Sequence, residues 1–182
     1  MTNFNIPTRE EVSSNNQEIF DNLEKAVGFV PNLYATIAYS DTALESYLQF
    51  QNAKTSLSKK EKEVINLIVS QVNGCNYCLS AHTTIGKMNG FTDEQILELR
   101  QGYFSTNEKF DALVKVAKAI TINKGKVDDA TLENYFNAGY SKGTLVDVIL
   151  AVGDKVIMNY LHNLTQIDID FPVAQELETV QA

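Results

Sequence analysis

Cysteine, histidine and positive charge are all scarce in this chain of 182 residues. It holds two cysteines and two histidines. Two cysteines are too few for the disulfide framework of a small secreted domain. Lys and Arg total 15 against 23 Asp and Glu, a formal net charge of −8. That balance argues against binding driven by a nucleic-acid backbone or by an anionic membrane surface. The acidic residues are scattered and form no acidic tail. No apolar run approaches the length needed to span a bilayer. No N-terminal segment joins a basic start to an apolar core, so no secretory signal is expected. These absences together predict a cytoplasmic protein with neither nucleic-acid nor membrane partners. In that compartment a disulfide is usually transient, serving catalysis or redox sensing. Strand signals are missing too: no Asn-Gly or Asp-Gly step is flanked by alternating apolar residues, and low-complexity segments are absent.

The remaining composition is ordinary for a globular protein, with 44% hydrophobic and 21% charged residues. The length suits a single domain over residues 1–182 with a real core. The pattern reads as helix after helix. A first helix is expected from Thr8 to Val27, ending at Gly28. A short one follows Pro31, from Asn32 to Tyr39, and another runs from Asp41 to about Lys54. Ser58-Lys59-Lys60-Glu61 is a capping box opening an apolar helix through Val64, Ile65, Leu67 and Val69 that stops at Asn73-Gly74. A further helix ends near Asn89-Gly90. Thr92 to Gln95 and Ser105 to Glu108 read as two more capping boxes, and Asp128 or Asp129 as a later cap. Ser141 caps a long last helix to about Asn163, with the stripe Leu145, Val148, Ile149, Val152, Val156 and Tyr160 at helical spacing. The tail from Asp168 is expected to be irregular and to pack on a neighbour. The predicted fold class is an all-α single-domain bundle.

Both cysteines and one histidine fall in one segment, Gly74-Cys75-Asn76-Tyr77-Cys78-Leu79-Ser80-Ala81-His82. Positions i, i+3 and i+7 share one helix face. Asn73-Gly74 breaks the preceding helix, which predicts Cys75 in the first turn of its own. Free backbone N–H groups and the positive end of the dipole lie there and favour a thiolate. Leu79, Ile85 and Gly86 share the face, whereas Asn76, Ser80, Thr83 and Lys87 point away. The reactive face is therefore expected to pack inward, around a partly desolvated pocket. Such a site suits peroxide reduction. One thiolate attacks the O–O bond and becomes a sulfenic acid; the second thiol condenses with it to give a disulfide and water. An external dithiol then restores the pair. The leaving oxygen needs a proton, and a carboxylate beside His82 would complete an acid relay. Glu63 lies on the preceding helix in a narrow polar seam with Asn66 and Ser70. Periodicity leaves open whether that seam faces the cysteines or solvent.

Glu63, then Cys75-x-Tyr77-Cys78-x-x-Ala81-His82 after eleven intervening residues, resembles the alkylhydroperoxidase AhpD-like family of the carboxymuconolactone decarboxylase superfamily. Gly28-Phe29-Val30-Pro31-Asn32, Gly86, Gly90 and Asp170-Phe171-Pro172 fit as well, so the resemblance runs from about residue 20 to 172. It implies an all-α fold assembled as trimers or multiples of trimers. It also implies roles: Glu63 and His82 as a proton relay, Cys78 as the thiol that becomes sulfenic acid, and Cys75 as proton donor and resolving thiol. The substrate implied is a hydroperoxide and the reductant an unidentified dithiol, with no cofactor and no metal. Tyr77 stands where the best-characterised branch has histidine, and resembles the broader, peroxidase-related branch. A true decarboxylase of the superfamily would not need the cysteine pair.

Three other readings of the motif stand beside this one. The disulfide could serve redox sensing or disulfide exchange with little turnover. Cys75, Cys78, His82 and His162 could in principle supply four zinc ligands, although three on one helix face is poor spacing for structural zinc. The cysteines could be small buried hydrophobes, which explains neither their place at a helix start nor the histidine. His162 reads as a histidine at a helix end, and Tyr77 as a packing aromatic.

Overall fold

The computed structural model describes residues 4–177. Among these, helices alone make up the regular structure: α1 Ser14–Val27, α2 Asn32–Ile37, α3 Ala43–Gln51, α4 Lys59–Val72, α5 Asn76–Met88, α6 Asp93–Gln101, α7 Glu108–Ile122, α8 Asp129–Asn137 and α9 Lys142–Thr165. The expected all-α bundle is what forms.

Helix α4 is the axis of the molecule and packs against α5, α6, α7 and α9. Its Val64, Ile65, Leu67, Ile68 and Val69 are buried against Leu113, Val114 and Ala117 of α7 and Val148 and Val152 of α9. Burying such side chains stabilises the fold by about 1.5–3 kcal/mol each. Its start is fixed by the predicted capping box: Ser58 Oγ accepts from Glu61 N–H while Glu61 Oε2 accepts from Ser58 N–H at 2.8 Å. A second, smaller cluster gathers Leu33, Tyr47, Tyr77, Met158 and Ile167 around the two cysteines.

Several expected boundaries move. The first helix is interrupted: a 3-10 turn at Arg9–Glu11 is followed by extended Val12, and Ser13 caps α1. Two capping signals in one stretch compete, and each opens its own element. Helix α3 starts after Thr42 and stops at Gln51, short of Lys54. Asn107, not Ser105, caps α7 by accepting from Phe110 N–H, because Ser105 is engaged by Glu98. The tail after Asp168 is irregular but folds back on its own chain. Ala174 N–H donates to Ser80 Oγ at 3.0 Å, and Arg100 Nη1 donates to the Gln175 carbonyl at 2.6 Å. Ser80 therefore does not face solvent as the helical wheel implied; it is buried beneath the tail.

The last helix departs most from its expected face. Val148 and Val152 are buried, but Ile149 is 46% and Tyr160 62% exposed. The buried line continues instead through Lys155, Asn159 and His162. These polar side chains turn toward the cysteines together with Met158, while Ile157 and Tyr160 beside them turn outward.

Candidate functional site

Gly74 adopts φ +63°, a left-handed conformation that costs glycine little. It lets the chain leave α4 and start α5 within one turn. Cys75 is then the N-cap of α5 rather than a first-turn residue, and its Sγ accepts from Cys78 N–H at 3.2 Å. This is the position that Ser, Thr, Asp or Asn usually fills. Cys78 lies in the first turn, among the unpaired N–H groups. Both thiols are free and buried. The Cys75 S–H donates to Cys78 Sγ across 2.6 Å, so little further approach is needed for a disulfide bond of about 2.05 Å.

The expected lowering of the Cys75 pKa is corrected by this geometry. The shared hydrogen bond and burial, with the negative charge on Cys78, push the Cys75 thiol up. Cys78 moves down: the hydrogen bond from Cys75 leads, and the positive charge of Lys155 and a hydrogen bond from Asn159 add to it against the cost of burial. Of the two sulfurs, Cys78 is the better home for a negative charge.

The polar seam of α4 does face the cysteines. Glu63 is 5% exposed, and its Oε2 lies 2.8 Å from His82 Nδ1. Asn66 Nδ2 donates to Glu63 Oε1 at 3.2 Å. One turn beyond, Ser70 Oγ accepts from Asn159 Nδ2 at 3.2 Å, and Asn73 Nδ2 donates to Asn159 Oδ1 at 2.9 Å. Burial pushes the Glu63 carboxyl up, but His82, Lys155 and Asn66 together outweigh it and hold it below the usual range. For His82, burial leads and Lys155 adds to it, so its pKa falls despite the carboxylate. At neutral pH the pair is thus a carboxylate accepting from a neutral imidazole. The proton sits on Nδ1, and Nε2 is left as the basic nitrogen.

Two cavities meet at His82. The larger, about 660 Å³, reaches Cys78, His82 and Lys155 between walls of Phe29, Tyr77 and Phe171. The smaller, about 350 Å³, borders Glu63, Asn66, His82, Asp154 and Lys155 from the polar side. The segments around Gly28–Asn32 and Asp170–Pro172, far apart in sequence, close over the larger cavity. Asn32 N–H donates to Asp170 Oδ2 at 2.7 Å, and Leu33 N–H donates to Tyr77 Oη at 3.2 Å. Tyr77 packs edge-on against Phe171 and tilts against His162, with centroids 5.7 and 5.3 Å away. It is a wall of the cavity and an anchor for α2. His162 is buried, and its Nε2 lies 3.2 Å from the Ile167 carbonyl at the helix end. Among the described residues, no group of three or more His, Cys, Asp or Glu side chains is placed to hold a metal ion. No helix there is long and apolar enough to cross a membrane.

Cys75, Cys78 and His82 share one place, as their spacing predicted, and Glu63, whose facing periodicity left open, joins them through His82. Sequence reasoning missed Lys155 and Asn159. The available signal was their position on the line of buried Val148 and Val152, three and seven residues after Val152.

Fold and site together define a helical protein with a buried thiol pair at a helix start and a carboxylate–imidazole pair beside it. Residues 40–119, which contain all four groups, match the model of the carboxymuconolactone decarboxylase family. The chain is 25% identical to the uncharacterized protein YdfG of Bacillus subtilis (strain 168) over 123 residues, 65% of this chain and 82% of that protein. Its fold is that of the alkylhydroperoxidase AhpD core. A peroxidase-related protein from Ralstonia eutropha JMP134 with that core superposes with a TM-score of 0.82 at 18% identity, over 92% of this chain and 91% of the other. The debrominase Bmp8, solved with 2,3,4-tribromopyrrole, superposes with a TM-score of 0.75 at 17% identity, over 93% of each chain.

Proposed function

We propose that this protein is a thiol-dependent alkyl hydroperoxide reductase. The observation that carries the reading is a paired thiol of lowered pKa, Cys78, at the base of an apolar cavity with His82 beside it, and a second thiol 2.6 Å behind. The Cys78 thiolate attacks the distal oxygen of the hydroperoxide. The O–O bond breaks, the alkoxide takes from His82 the proton that its Nε2 removed from the Cys78 thiol in forming the thiolate, and Cys78 becomes a sulfenic acid. Cys75 then attacks the sulfenic sulfur, releasing water and forming the disulfide. A dithiol of unidentified source reduces the disulfide and returns both protons. His82 holds and moves the proton, and Glu63 fixes its tautomer.

The larger cavity suits this chemistry because its mostly apolar walls fit an alkyl group beside Cys78. The outward apolar residues of α9, among them Val146, Leu150, Ile157 and Leu164, support self-association, in line with the trimer or hexamer expected from the resemblance. The test is peroxide consumption with cumene hydroperoxide and dithiothreitol. Cys78→Ser is expected to abolish turnover; full activity in that variant rules the mechanism out. The debrominase neighbour gives a second substrate to try on the same thiol. Loss of bromide from 2,3,4-tribromopyrrole with no peroxide turnover would move the assignment to thiol-driven dehalogenation.

A further inference from the structure

We propose that the larger cavity selects substrates with a carboxylate at one end of an apolar body, and that Lys155 is the seat of that carboxylate. The inference rests on the reading that Cys78 reacts with a substrate held in this cavity, and it names the class of that substrate.

Lys155 is 3% exposed and borders both cavities. A buried ammonium group is costly unless paired and hydrogen-bonded. Among the described residues, no carboxylate oxygen lies within 4.0 Å of Lys155 Nζ, and no protein group accepts a hydrogen bond from it. The groups whose fields reach it come from three helices. Glu63 of α4 is already committed to His82 and Asn66. Cys78 and His82 of α5 share the cavity wall with it. Asp154, its neighbour on α9, borders only the smaller cavity. The charge is therefore balanced at a distance, and the ammonium donors have no protein acceptor.

Most of the remaining wall is apolar, with Val27, Phe29, Leu33, Met88, Met158 and Phe171; Gln51, Thr84 and Asp170 are its polar members, and Asp170 Oδ2 accepts from Asn32 N–H. At about 660 Å³ it falls in the range of pockets that enclose a drug-sized ligand. A single cation near the nucleophile, within an apolar chamber, matches an amphiphile with one negative end. The overall charge of −8 repels anions at long range, so Lys155 supplies the local attraction that such a substrate needs. A neutral ligand of the same shape leaves the ammonium unpaired and loses that term.

The test uses reduced protein and two unreactive probes of equal shape, 4-tert-butylbenzoate and 4-tert-butylbenzamide, measured by titration calorimetry. Wild type is expected to bind the benzoate at least about tenfold more tightly, which is about 1.4 kcal/mol. Lys155→Met should reduce the ratio to within about twofold, and Lys155→Arg should keep most of it. Equal binding of the two probes, no binding of the benzoate, or an undiminished ratio in Lys155→Met overturns the inference. A kinetic arm compares linoleic acid hydroperoxide with its methyl ester as oxidants of Cys78. A benzoate preference without any peroxide reaction would keep the carboxylate site and remove the peroxidase reading. Peroxide turnover with no preference for the acid in either arm would do the reverse.

Discussion

Glu63→Gln keeps the shape of the relay and removes its charge. In the native site Glu63 Oε1 accepts from Asn66 Nδ2 at 3.2 Å while Oε2 faces His82 Nδ1 at 2.8 Å. A glutamine can offer its carbonyl to Asn66 only by turning its NH2 toward Nδ1. That donor requires a bare Nδ1, so the imidazole proton moves to Nε2 and the basic nitrogen is lost. An isosteric change at the orienting carboxylate of a catalytic triad acts in the same way, through the wrong tautomer. Positioned acid–base catalysis is worth about 10²–10⁴-fold. Oxidation of Cys78 by cumene hydroperoxide should therefore slow by at least about 10²-fold, or ~2.7 kcal/mol at the barrier. Rapid-quench counting of free thiols on reduced protein measures this rate. His82→Gln should lose a similar factor, and the double variant little more, because the two groups act as a unit. A Glu63→Gln rate within about threefold of wild type, in a protein of unchanged helical content, would refute the relay.

Three further outcomes are expected. In Cys75→Ser the resolving thiol is gone, so one equivalent of peroxide should leave a sulfenic acid on Cys78; mass spectrometry should find one dimedone adduct on that residue. Alkylation of Cys78 by iodoacetamide should show a midpoint below the ordinary thiol value of about 8.5, because Cys75 and Lys155 favour the thiolate. Lys155→Met should raise that midpoint, and an unchanged midpoint contradicts the electrostatic role. Stability should fall on mild acidification. The His82 pKa is depressed in the folded state, so the unfolded chain binds that proton more readily. The contribution is complete above the unfolded value of about 6.5 and is lost as pH falls from there toward the folded value. Urea midpoints at pH 7.5 and 5.5 should differ in wild type, and by less in His82→Gln.

The reach of the sequence can be judged residue by residue. Capping boxes are local, so Ser58 and Thr92 marked the starts of α4 and α6 correctly. Cys75, Cys78 and His82 share one helix, and Asn73-Gly74 showed where that helix begins. Glu63 needed a tertiary fact, the way α4 faces α5, and only its polar seam pointed there. Lys155 and Asn159 stayed hidden because α9 was read from its apolar side chains. Its buried face is set by the cysteine site, which favours polar groups over the nearby Ile149 and Tyr160. The irregular tail was legible, but its attachment to Ser80 and Arg100 spans 94 and 75 residues, beyond the range of any local pattern.

The assignment is tested most directly by mixing fully reduced protein with excess cumene hydroperoxide, counting free thiols against time, and then adding dithiothreitol while following peroxide. A two-cysteine peroxidase loses both thiols together and then consumes peroxide over many cycles. Thiols that stay free under excess peroxide, or that oxidise once without further turnover, would contradict it.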